Sequence, residues 1–215
     1  MHYEINGVLI KTENAAKPVS QQNRNVLEWI KSLPFNSRVL DYGCGKLRYT
    51  IPLSETVKNV WAVDSIYQIQ RIQTINKINT SLKDYAKEYL KNVTIEEVYS
   101  DNWKNNNYDY ILCSNVLSSV PLIEERIEIL KNLKKSKNNS GIIFLSTQYR
   151  NSYFKTYAYK YNSSKFNDGW IITNKNSKTF YGLIPLKSLI ELCENVGLKI
   201  IQGYNRDGSA YILAN

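Results

Sequence analysis

Residues 38–47 constrain the fold of this chain more than any other stretch. They read RVLDYGCGKL, which predicts a short buried strand over residues 38–42 that breaks into a glycine turn, with a helix behind it. Asp41 lies near the end of this strand, and Gly43 and Gly45 form the turn. Glycines remove side chains from the turn and the following helix presents free N–H groups. This arrangement is therefore typical of a backbone that comes close to a nucleotide-like ligand.

A second strand-end acid follows about twenty residues after the glycine turn, the spacing usual in nucleotide-binding units. Residues 60–64 read VWAVD, an apolar strand that ends in Asp64. This is the usual position of a carboxylate that binds ribose hydroxyl groups. A glycine pair alone would say little, but the correctly spaced Asp64 makes a nucleotide-like ligand the favoured interpretation.

Length and hydropathy favour one domain over residues 1–215. No apolar run approaches the ~20 residues of a membrane-spanning helix, and the N-terminal MHYEIN lacks the plan of a signal peptide. Cys44, Cys113 and Cys193 are scattered in apolar surroundings without a CxxC pair, which indicates reduced core thiols. We expect a cytoplasmic protein with no membrane partner.

Charge and histidine content limit the chemistry. The chain carries 28 basic and 19 acidic residues, a net charge of +9. This excess fits an anionic partner such as nucleic acid, but it fits a lysine- and asparagine-rich composition with no specific target equally well. The single histidine is His2, so a histidine-centred triad, a histidine metal site and a core histidine base are all excluded. We expect no metal.

Hydrophobic spacing predicts alternating strands and helices up to residue 145. An Asn6-Gly7 hairpin over residues 2–10 and a helix capped by Ser20 make up an N-terminal segment, residues 1–35. A helical pattern over residues 68–90, in one or two pieces, and a helix beginning at Pro121 follow later in the chain. The other predicted elements are strands at 38–42, 59–64, 93–99, 108–113, 141–145, 198–204 and 209–214, a short helix reaching Pro52, and a helix over 186–196.

This order predicts an α/β fold with a doubly wound sheet of seven strands and helices on both faces. The last two strands are joined by the turn of residues 205–208. So short a connection requires an antiparallel pair. The sheet should therefore be mostly parallel, with one antiparallel strand near its edge.

Over residues 20–215 the chain resembles the seven-stranded, Rossmann-like class I family of S-adenosylmethionine-dependent methyltransferases. Residues 39–45 look like the first motif of that family, and Asp64 matches its ribose-binding acid. Asp101, after the third strand, matches the acid or amide that faces the adenine amino group. Residues 108–117 look like the motif behind the methionine moiety.

The resemblance implies S-adenosylmethionine as cofactor and gives each candidate residue a role. Asp41 would order the turn and receive the methionine ammonium, or would only cap the loop. Ile66 would lie on the adenine face, or in the core. Asn115 would use its amide on the methyl donor or the acceptor, or would only cap a strand. The cofactor-binding residues implied are Asp41, Gly43, Gly45, Asp64, Ile66, Asp101, Asn102, Ser114, Asn115 and Val116.

One position departs from the family pattern. The family often has a third glycine two residues after Gly45, where this chain has Leu47. That glycine mainly relieves packing between helix and strand, so its loss should leave the ligand-facing turn intact. A dinucleotide-dependent oxidoreductase would need three glycines to seat a pyrophosphate, and a separate substrate domain. A sulfonium cofactor has no phosphate, so methyltransferase is the favoured class.

Residues 148–182 are predicted to form an inserted lid over the acceptor, with Tyr149, Arg150 and Tyr153 as candidate substrate residues. Aromatic and cationic side chains alternate in this segment, and Asp168 is its one acid. Such a pattern suits stacked bases on a phosphate backbone or a planar, anionic small molecule. It also suits a lid whose aromatic residues only seal the pocket while its lysines are solvated.

Three functions stay open at this point. The first is in-line methyl transfer to a small molecule held under the lid and the N-terminal helix. The second is methylation of RNA or DNA through the lid, although the chain has neither [DNS]PP[FYW] after strand four, where residues 114–117 read SNVL, nor a Pro-Cys nucleophile. The third is a cofactor-binding protein without transferase activity. No catalytic residue is identified; any base would be a carboxylate, a tyrosine or a lysine.

Overall fold

The computed structural model describes residues 1–149, 156–159, 162–174 and 177–215. They form two compact units. The glycine-turn unit contains Ala16–Leu112 and Lys135–Gly141, and the insertion unit contains Met1–Ala15, Cys113–Lys134 and Ile142–Asn215. That the chain is one methyltransferase domain stays a prediction.

Helices and strands alternate through most of the described residues. The α-helices are α1 (Arg24–Lys31), α2 (Thr50–Thr56), α3 (Ile66–Gln70), α4 (Leu82–Tyr89), α5 (Ile123–Ser136) and α6 (Leu186–Asn195). Short 3-10 helices are found at Thr12–Ala15, Trp103–Asn105, Leu117–Ser119 and Thr156–Tyr159. Among the described residues, no helix combines the length and the apolar composition that crossing a bilayer requires.

Within the described ranges, the strands fall into three sheets. They are β1 (His2–Ile5), β2 (Val8–Lys11), β3 (Arg38–Tyr42), β4 (Asn59–Asp64), β5 (Gln73–Ile75), β6 (Ile78–Thr80), β7 (Val93–Glu97), β8 (Tyr108–Ser114), β9 (Lys137–Gln148), β10 (Ser163–Phe166), β11 (Gly169–Asn174), β12 (Ser177–Gly182), β13 (Ile200–Arg206) and β14 (Ser209–Ala214).

The largest sheet has seven strands in the order β13-β14-β9-β8-β3-β4-β7. Strand β3 pairs in parallel with β4 and β8, and β4 pairs in parallel with β7. Strand β14 is antiparallel to both of its neighbours, β9 and β13. The prediction of a mostly parallel seven-stranded sheet with one reversed strand near its edge is therefore confirmed.

A second sheet of five strands lies in the insertion unit, in the order β1-β2-β12-β11-β10. Strands β1 and β2 form the hairpin predicted at Asn6-Gly7, both of which have positive φ (50° and 73°). Strands β10, β11 and β12 come from the predicted lid. A parallel contact between β12 and β2, with Lys178 opposite Ile10, joins the two parts. Three strands of the lid thus belong to the same sheet as the N-terminal hairpin.

The prediction of helix over residues 68–90, in one or two pieces, holds only at the two ends of the segment. Helix α3 ends at Gln70, and β5 and β6 form a hairpin before α4 begins. Isoleucines at positions 72, 75 and 78 are spaced like one face of a helix, which explains the error. Asn76 and Lys77 both have positive φ (43° and 71°), the backbone that a tight two-residue hairpin turn requires.

The core of the glycine-turn unit lies beneath the glycine turn. Leu47 is fully buried there with Cys44 from the turn and with Ala62 from β4. Leu82 and Tyr85 on α4 close the same cluster. Burial of this apolar surface fixes the position of the turn relative to β4 and α4.

Candidate functional site

The glycine turn is bound to the neighbouring strand through its own backbone. Gly43 and Gly45 have φ of 72° and 58°, values that glycine adopts without strain. The N–H groups of Gly43 and Cys44 both donate to the carbonyl of Val63, at 2.8 and 3.1 Å. The turn is therefore fixed to β4 by backbone hydrogen bonds.

Asp64, the last residue of β4, links the strand end to the same turn. Its Oδ2 accepts the N–H of Gly45 at 2.8 Å, and its Oδ1 accepts the N–H of Ser65 at 2.7 Å. A carboxylate has about four lone-pair positions, so both oxygens can still accept bonds from ligand hydroxyl groups. The sequence spacing between the glycine turn and Asp64 predicted that this carboxylate binds ribose. The structure shows that Asp64 also holds the glycine turn in place.

Asp41 is buried beside the turn, with 3% of its surface exposed. Thr50 donates its hydroxyl to Asp41 Oδ2 at 2.6 Å. Burial raises the pKa of Asp41 to about 6, and the hydrogen bond from Thr50 and the charge of Arg48 only partly oppose this rise. A ligand cation near this carboxyl group would stabilise its charged form.

A segment before α1 lies against Gly45, which sequence reasoning missed. A Cβ atom added at Gly45 would lie 3.3 Å from Ala16 Cβ. Gln22 Nε2 donates to the carbonyl of Arg48 at 2.8 Å, and the N–H of Asn23 donates to the Tyr49 hydroxyl at 3.1 Å. Gly45 is therefore required by its positive φ and by the approach of Ala16, in addition to any approach of a ligand.

The residues predicted to contact adenine differ in their exposure and in their partners. Ile66, the first residue of α3, is 36% exposed, which suits contact with a planar apolar group. The Asp101 side chain is 85% exposed and pairs with Lys104 Nζ at 2.9 Å, which lowers the pKa of Asp101. Asn102 is exposed and precedes the 3-10 helix Trp103–Asn105. Contact of Asp101 and Asn102 with adenine stays a prediction.

In the insertion unit, the end of β8 presents Ser114, Asn115 and Val116. Ser114 Oγ lies 2.8 Å from Ser146 Oγ, and the N–H of Asn115 donates to the Ser146 carbonyl at 2.8 Å. Asn115 has a φ of 61°, and its buried Oδ1 accepts no hydrogen bond within the described part of the chain. Such an oxygen suits a ligand that carries an N–H or O–H donor. Val116 is buried.

The lid residues are held mainly by one another. Phe166 packs edge-on against Phe180, with ring centroids 6.3 Å apart, and Tyr157 stacks on Tyr181 at 5.9 Å. Lys165 Nζ lies 4.4 Å from the centre of the Trp170 ring. These five rings and this cation are thus engaged within the inserted segment.

The three candidate substrate residues lie at the start of that segment. Tyr149 is half-buried, and its N–H donates to the Gly208 carbonyl at 3.2 Å. Arg150 and Tyr153 lie outside the described residues. Asp168, the one acid of the lid, receives a bidentate ion pair from Arg126. Sequence reasoning did not find this partner, although a single acid among many cations was a signal.

Sequence comparison places the whole chain in a known group. A family model described as methyltransferase domain matches residues 15–203. The chain is 36% identical over 212 residues to the uncharacterized protein YmfD of Escherichia coli K12, a match that covers 99% of this chain and 95% of YmfD.

Solved structures share the fold at low sequence identity. An S-adenosylmethionine-dependent methyltransferase from Methanosarcina mazei has a TM-score of 0.64 at 16% identity, over 90% of this chain and 97% of the other. The 1,6-didemethyltoxoflavin-N1-methyltransferase of Burkholderia thailandensis, solved with bound 1,6-didemethyltoxoflavin and S-adenosylhomocysteine, has a TM-score of 0.59 at 16% identity, over 89% of this chain and 75% of the other. The solved structures show that the chain shares the fold of S-adenosylmethionine-dependent methyltransferases, and the family match shows that it belongs to the methyltransferase-domain family, as its resemblance predicted.

Proposed function

We propose that this protein binds S-adenosylmethionine at the glycine turn and transfers the methyl group to a small-molecule acceptor. One observation carries the proposal. The Asp64 carboxylate accepts the N–H of Gly45 at 2.8 Å, so the predicted ribose-binding acid and the ligand-facing turn form one fixed element. A solvated strand-end acid would have no such link to the turn.

The residues of the glycine-turn unit fit this cofactor. Asp64 stands at the ribose position, and its two carboxylate oxygens accept the N–H groups of Gly45 and Ser65. The buried carboxyl of Asp41 suits a cationic neighbour, and Ile66 offers exposed apolar surface. When bound, S-adenosylmethionine supplies an activated methyl group, so the protein has to align the acceptor and exclude water. The parts played by Ser114, Asn115 and Val116 stay predictions.

The state of the lid supports a small molecule over nucleic acid. A protein that binds single strands presents aromatic faces on which successive bases stack. Here Phe166, Phe180, Tyr157 and Tyr181 pack in pairs, and Trp170 already has Lys165 over its ring. Opening these contacts to admit bases would cost the packing that holds the inserted sheet. These five packed rings therefore support the sealing role, whereas Tyr159 in the same segment is exposed.

A cytoplasmic location is part of the proposal. Cys44, Cys113 and Cys193 are buried, and among the described residues they form no disulfide. Burial raises the pKa of Cys193 to about 12 and that of Cys44 well above its usual value, so both are unreactive thiols. Free thiols of this kind are usual in a reducing compartment.

Calorimetry with a matched pair of variants tests the cofactor assignment. The wild-type protein should bind S-adenosylmethionine and S-adenosylhomocysteine. Asp64→Ala should weaken binding at least about tenfold, since hydrogen bonds to a charged group contribute roughly 1.5–3 kcal/mol. The control Glu55→Ala removes an exposed acid on α2 and should bind like the wild type. Absence of binding to the wild-type protein would overturn the proposal.

Two further assays separate the remaining alternatives. Nanomolar binding to RNA or DNA that weakens steeply between two salt concentrations would favour a nucleic-acid substrate. Release of S-adenosylhomocysteine in the presence of a cell metabolite extract identifies a transferase. Cofactor binding with no turnover in any extract would instead favour a cofactor-binding protein without transferase activity.

A further inference from the structure

Strand β13 is an exposed edge of the seven-stranded sheet. Among the described residues, it pairs only with β14. Arg206 and Ser209 close a two-residue turn between the two strands, so they form a hydrogen-bonded pair. Because such pairs alternate along an antiparallel ladder, Gly203 and Asn205 direct their backbone N–H and C=O groups away from β14. Both residues are exposed, so these groups are accessible to a further strand.

This edge lacks most of the features that keep sheet edges from pairing. Natural edges are protected by lysine, proline, short length or bulges. Strand β13 has a bulge between Ile200 and Gln202, but its register is regular from there to Arg206. The regular stretch reads QGYNR, without lysine or proline. Its single charge is on Arg206 at the end of the strand, where Nε lies 3.8 Å from Asp207 Oδ2.

Helix α6 forms a groove beside this edge. The groove has a volume of about 540 Å³ and is lined by Leu186, Lys187, Ile190, Glu191, Glu194 and Asn205. A Cβ atom added at Gly203 would lie 3.3 Å from Leu186 Cδ1, so α6 lies directly over the backbone of β13. The charged lining residues follow at i, i+4 and i+7 and therefore form one stripe along the helix. This stripe is basic at its start and acidic from its middle to its end.

We propose that a second copy of this chain occupies the edge, with the two β13 strands paired antiparallel across a two-fold axis. Such an interface is isologous, so the same surface serves both copies. Gly203 and Asn205 of one copy would exchange backbone hydrogen bonds with β13 of the other. The two α6 helices would then lie antiparallel on one face of a continuous sheet. This association does not depend on the proposed function.

The charges of α6 favour a second copy over an unrelated strand. In an antiparallel pair of identical helices, the basic start of each stripe faces the acidic part of the other. Within one chain, Lys187 Nζ lies 4.0 Å from Glu191 Oε1, and the two side chains are 89% and 56% exposed. So exposed a pair contributes little to stability. Lys187 can therefore exchange this partner for the acidic residues of a second copy at little cost.

The size of this surface indicates a weak dimer. The 7 residues of β13 extend about 24 Å, and the sheet and helix layers together are roughly 20 Å thick. Two such faces bury about 1,000 Å² in total, which is the lower limit for a specific interface. We therefore expect a reversible dimer with a dissociation constant in the micromolar range.

Sedimentation equilibrium of the wild-type protein between about 1 and 200 µM measures this association. The dimer should form reversibly within that range. Asn205→Pro removes an outward N–H group and should weaken association at least about tenfold, whereas Asn205→Ala keeps that group and should retain the dimer. Circular dichroism and thermal denaturation check that both variants are folded.

Charge reversal on α6 tests whether the partner is a second copy. Lys187→Glu makes the stripe entirely acidic, and the double variant Glu191→Lys with Glu194→Lys makes it entirely basic. Both changes suit the helix dipole, so both variants should fold. Each alone should associate at least about tenfold more weakly than the wild-type protein, whereas an equimolar mixture should form a heterodimer. The control Lys83→Glu makes the same change of charge on α4 and should leave association unchanged.

Three results would overturn this inference. A wild-type protein that stays monomeric at about 200 µM would leave the edge to a strand from another chain. A dimer that persists unchanged in folded Asn205→Pro would place the contact elsewhere. Acidic and basic variants that do not associate when mixed would exclude the antiparallel pair of α6 helices. Cofactor binding is measured separately by calorimetry, so these results and those that test the proposed function are distinguishable.

Discussion

Arg126 and Asp168 form a bidentate ion pair in which one partner is buried and the other is not. Nη1 lies 2.5 Å from Oδ2 and Nη2 lies 2.8 Å from Oδ1, while the Arg126 side chain is 2% exposed and that of Asp168 33%. Arg126 Nε also donates to the carbonyl of Val120. Next to Asp168, Asn167 Nδ2 donates to the carbonyl of Pro121 at 3.0 Å. The β10–β11 turn is therefore fastened to the segment that follows β8.

This asymmetry predicts unequal costs for removing the two partners. Asp168→Ala leaves a buried guanidinium without its anion, which should cost about 3–5 kcal/mol of unfolding free energy. Arg126→Met leaves a partly hydrated carboxylate and fills much of the vacated volume, so it should cost about 2 kcal/mol less. Urea denaturation of both variants measures the difference. Equal losses would contradict this prediction.

The buried carboxyl of Asp41 predicts a pH dependence of stability. Its pKa is about 6 in the folded protein against 3.8 for the ordinary side chain, so the folded state holds the proton more tightly. The contribution to stability is complete below pH 3.8 and is lost as the pH rises through about 6. The loss amounts to about 3 kcal/mol at 1.36 kcal/mol per pKa unit.

Urea denaturation between pH 4 and pH 7, compared with Asp41→Asn, measures this contribution. The variant cannot ionise and keeps an oxygen that accepts the Thr50 hydroxyl. The difference in unfolding free energy between the variant and the wild-type protein should therefore shift in favour of the variant as the pH rises. A difference that does not change with pH would show that Asp41 titrates normally.

Gly45 should tolerate a side chain less well than another glycine of similar backbone. Gly7 has a φ of 73° and open space around an added Cβ, whereas Gly45 has a φ of 58° and Ala16 Cβ at 3.3 Å. Gly7→Ala should therefore cost only backbone strain, about 1 kcal/mol. Gly45→Ala should cost more, and Ala16→Gly in the same chain should remove the excess. Thermal denaturation of the wild-type protein, Gly7→Ala, Gly45→Ala and the double variant Gly45→Ala with Ala16→Gly measures these costs. If the extra cost of Gly45→Ala remains in the double variant, contact with Ala16 is not its cause.

Local signals were enough to predict the elements that build the large sheet. Strands β3 and β4 begin and end where their apolar runs meet turn residues, so their predicted bounds match the structure. The parallel contact between β2 and β12 joins distant parts of the chain and leaves no local trace in the sequence.

The N-cap of α1 was also not predicted from the sequence. Ser20 was a reasonable cap by type, but the side chain of Asn23 accepts the N–H groups of Asn25 and Val26.

The candidate site was predictable in its residue types but not in its internal contacts. Spacing identified Asp41 and Asp64, because parallel strands bring their ends to one edge of a sheet. The hydrogen bond from Gly45 to Asp64 depends on how the turn folds back over β4. Gln68 Nε2 donates to the carbonyl of Gly45 and to Gln73 Oε1. The contact with Gln73 depends on the β5–β6 hairpin, which the helical spacing of isoleucines concealed.

Leu47 shows where a departure from the family pattern has a physical cost. It takes the place of the third glycine and has a φ of 59°, yet it is fully buried in the core. A side chain in this conformation costs about 1–2 kcal/mol, which burial of the leucine offsets. In this chain the position has left-handed backbone, which a glycine would adopt without strain.

Paired substitutions at Leu47 separate the strain from the packing. Leu47→Ala and Leu47→Gly both remove the buried side chain, but only glycine relieves the backbone. Leu47→Gly should therefore be about 1 kcal/mol more stable than Leu47→Ala. Leu53 is equally buried in α2, and there Leu53→Gly should be about 1 kcal/mol less stable than Leu53→Ala, as in an ordinary helix. Denaturant unfolding measures the difference in unfolding free energy between the glycine and the alanine variant at each position. This difference should favour glycine at Leu47 and alanine at Leu53. The same sign at both positions would show that the Leu47 backbone is unstrained.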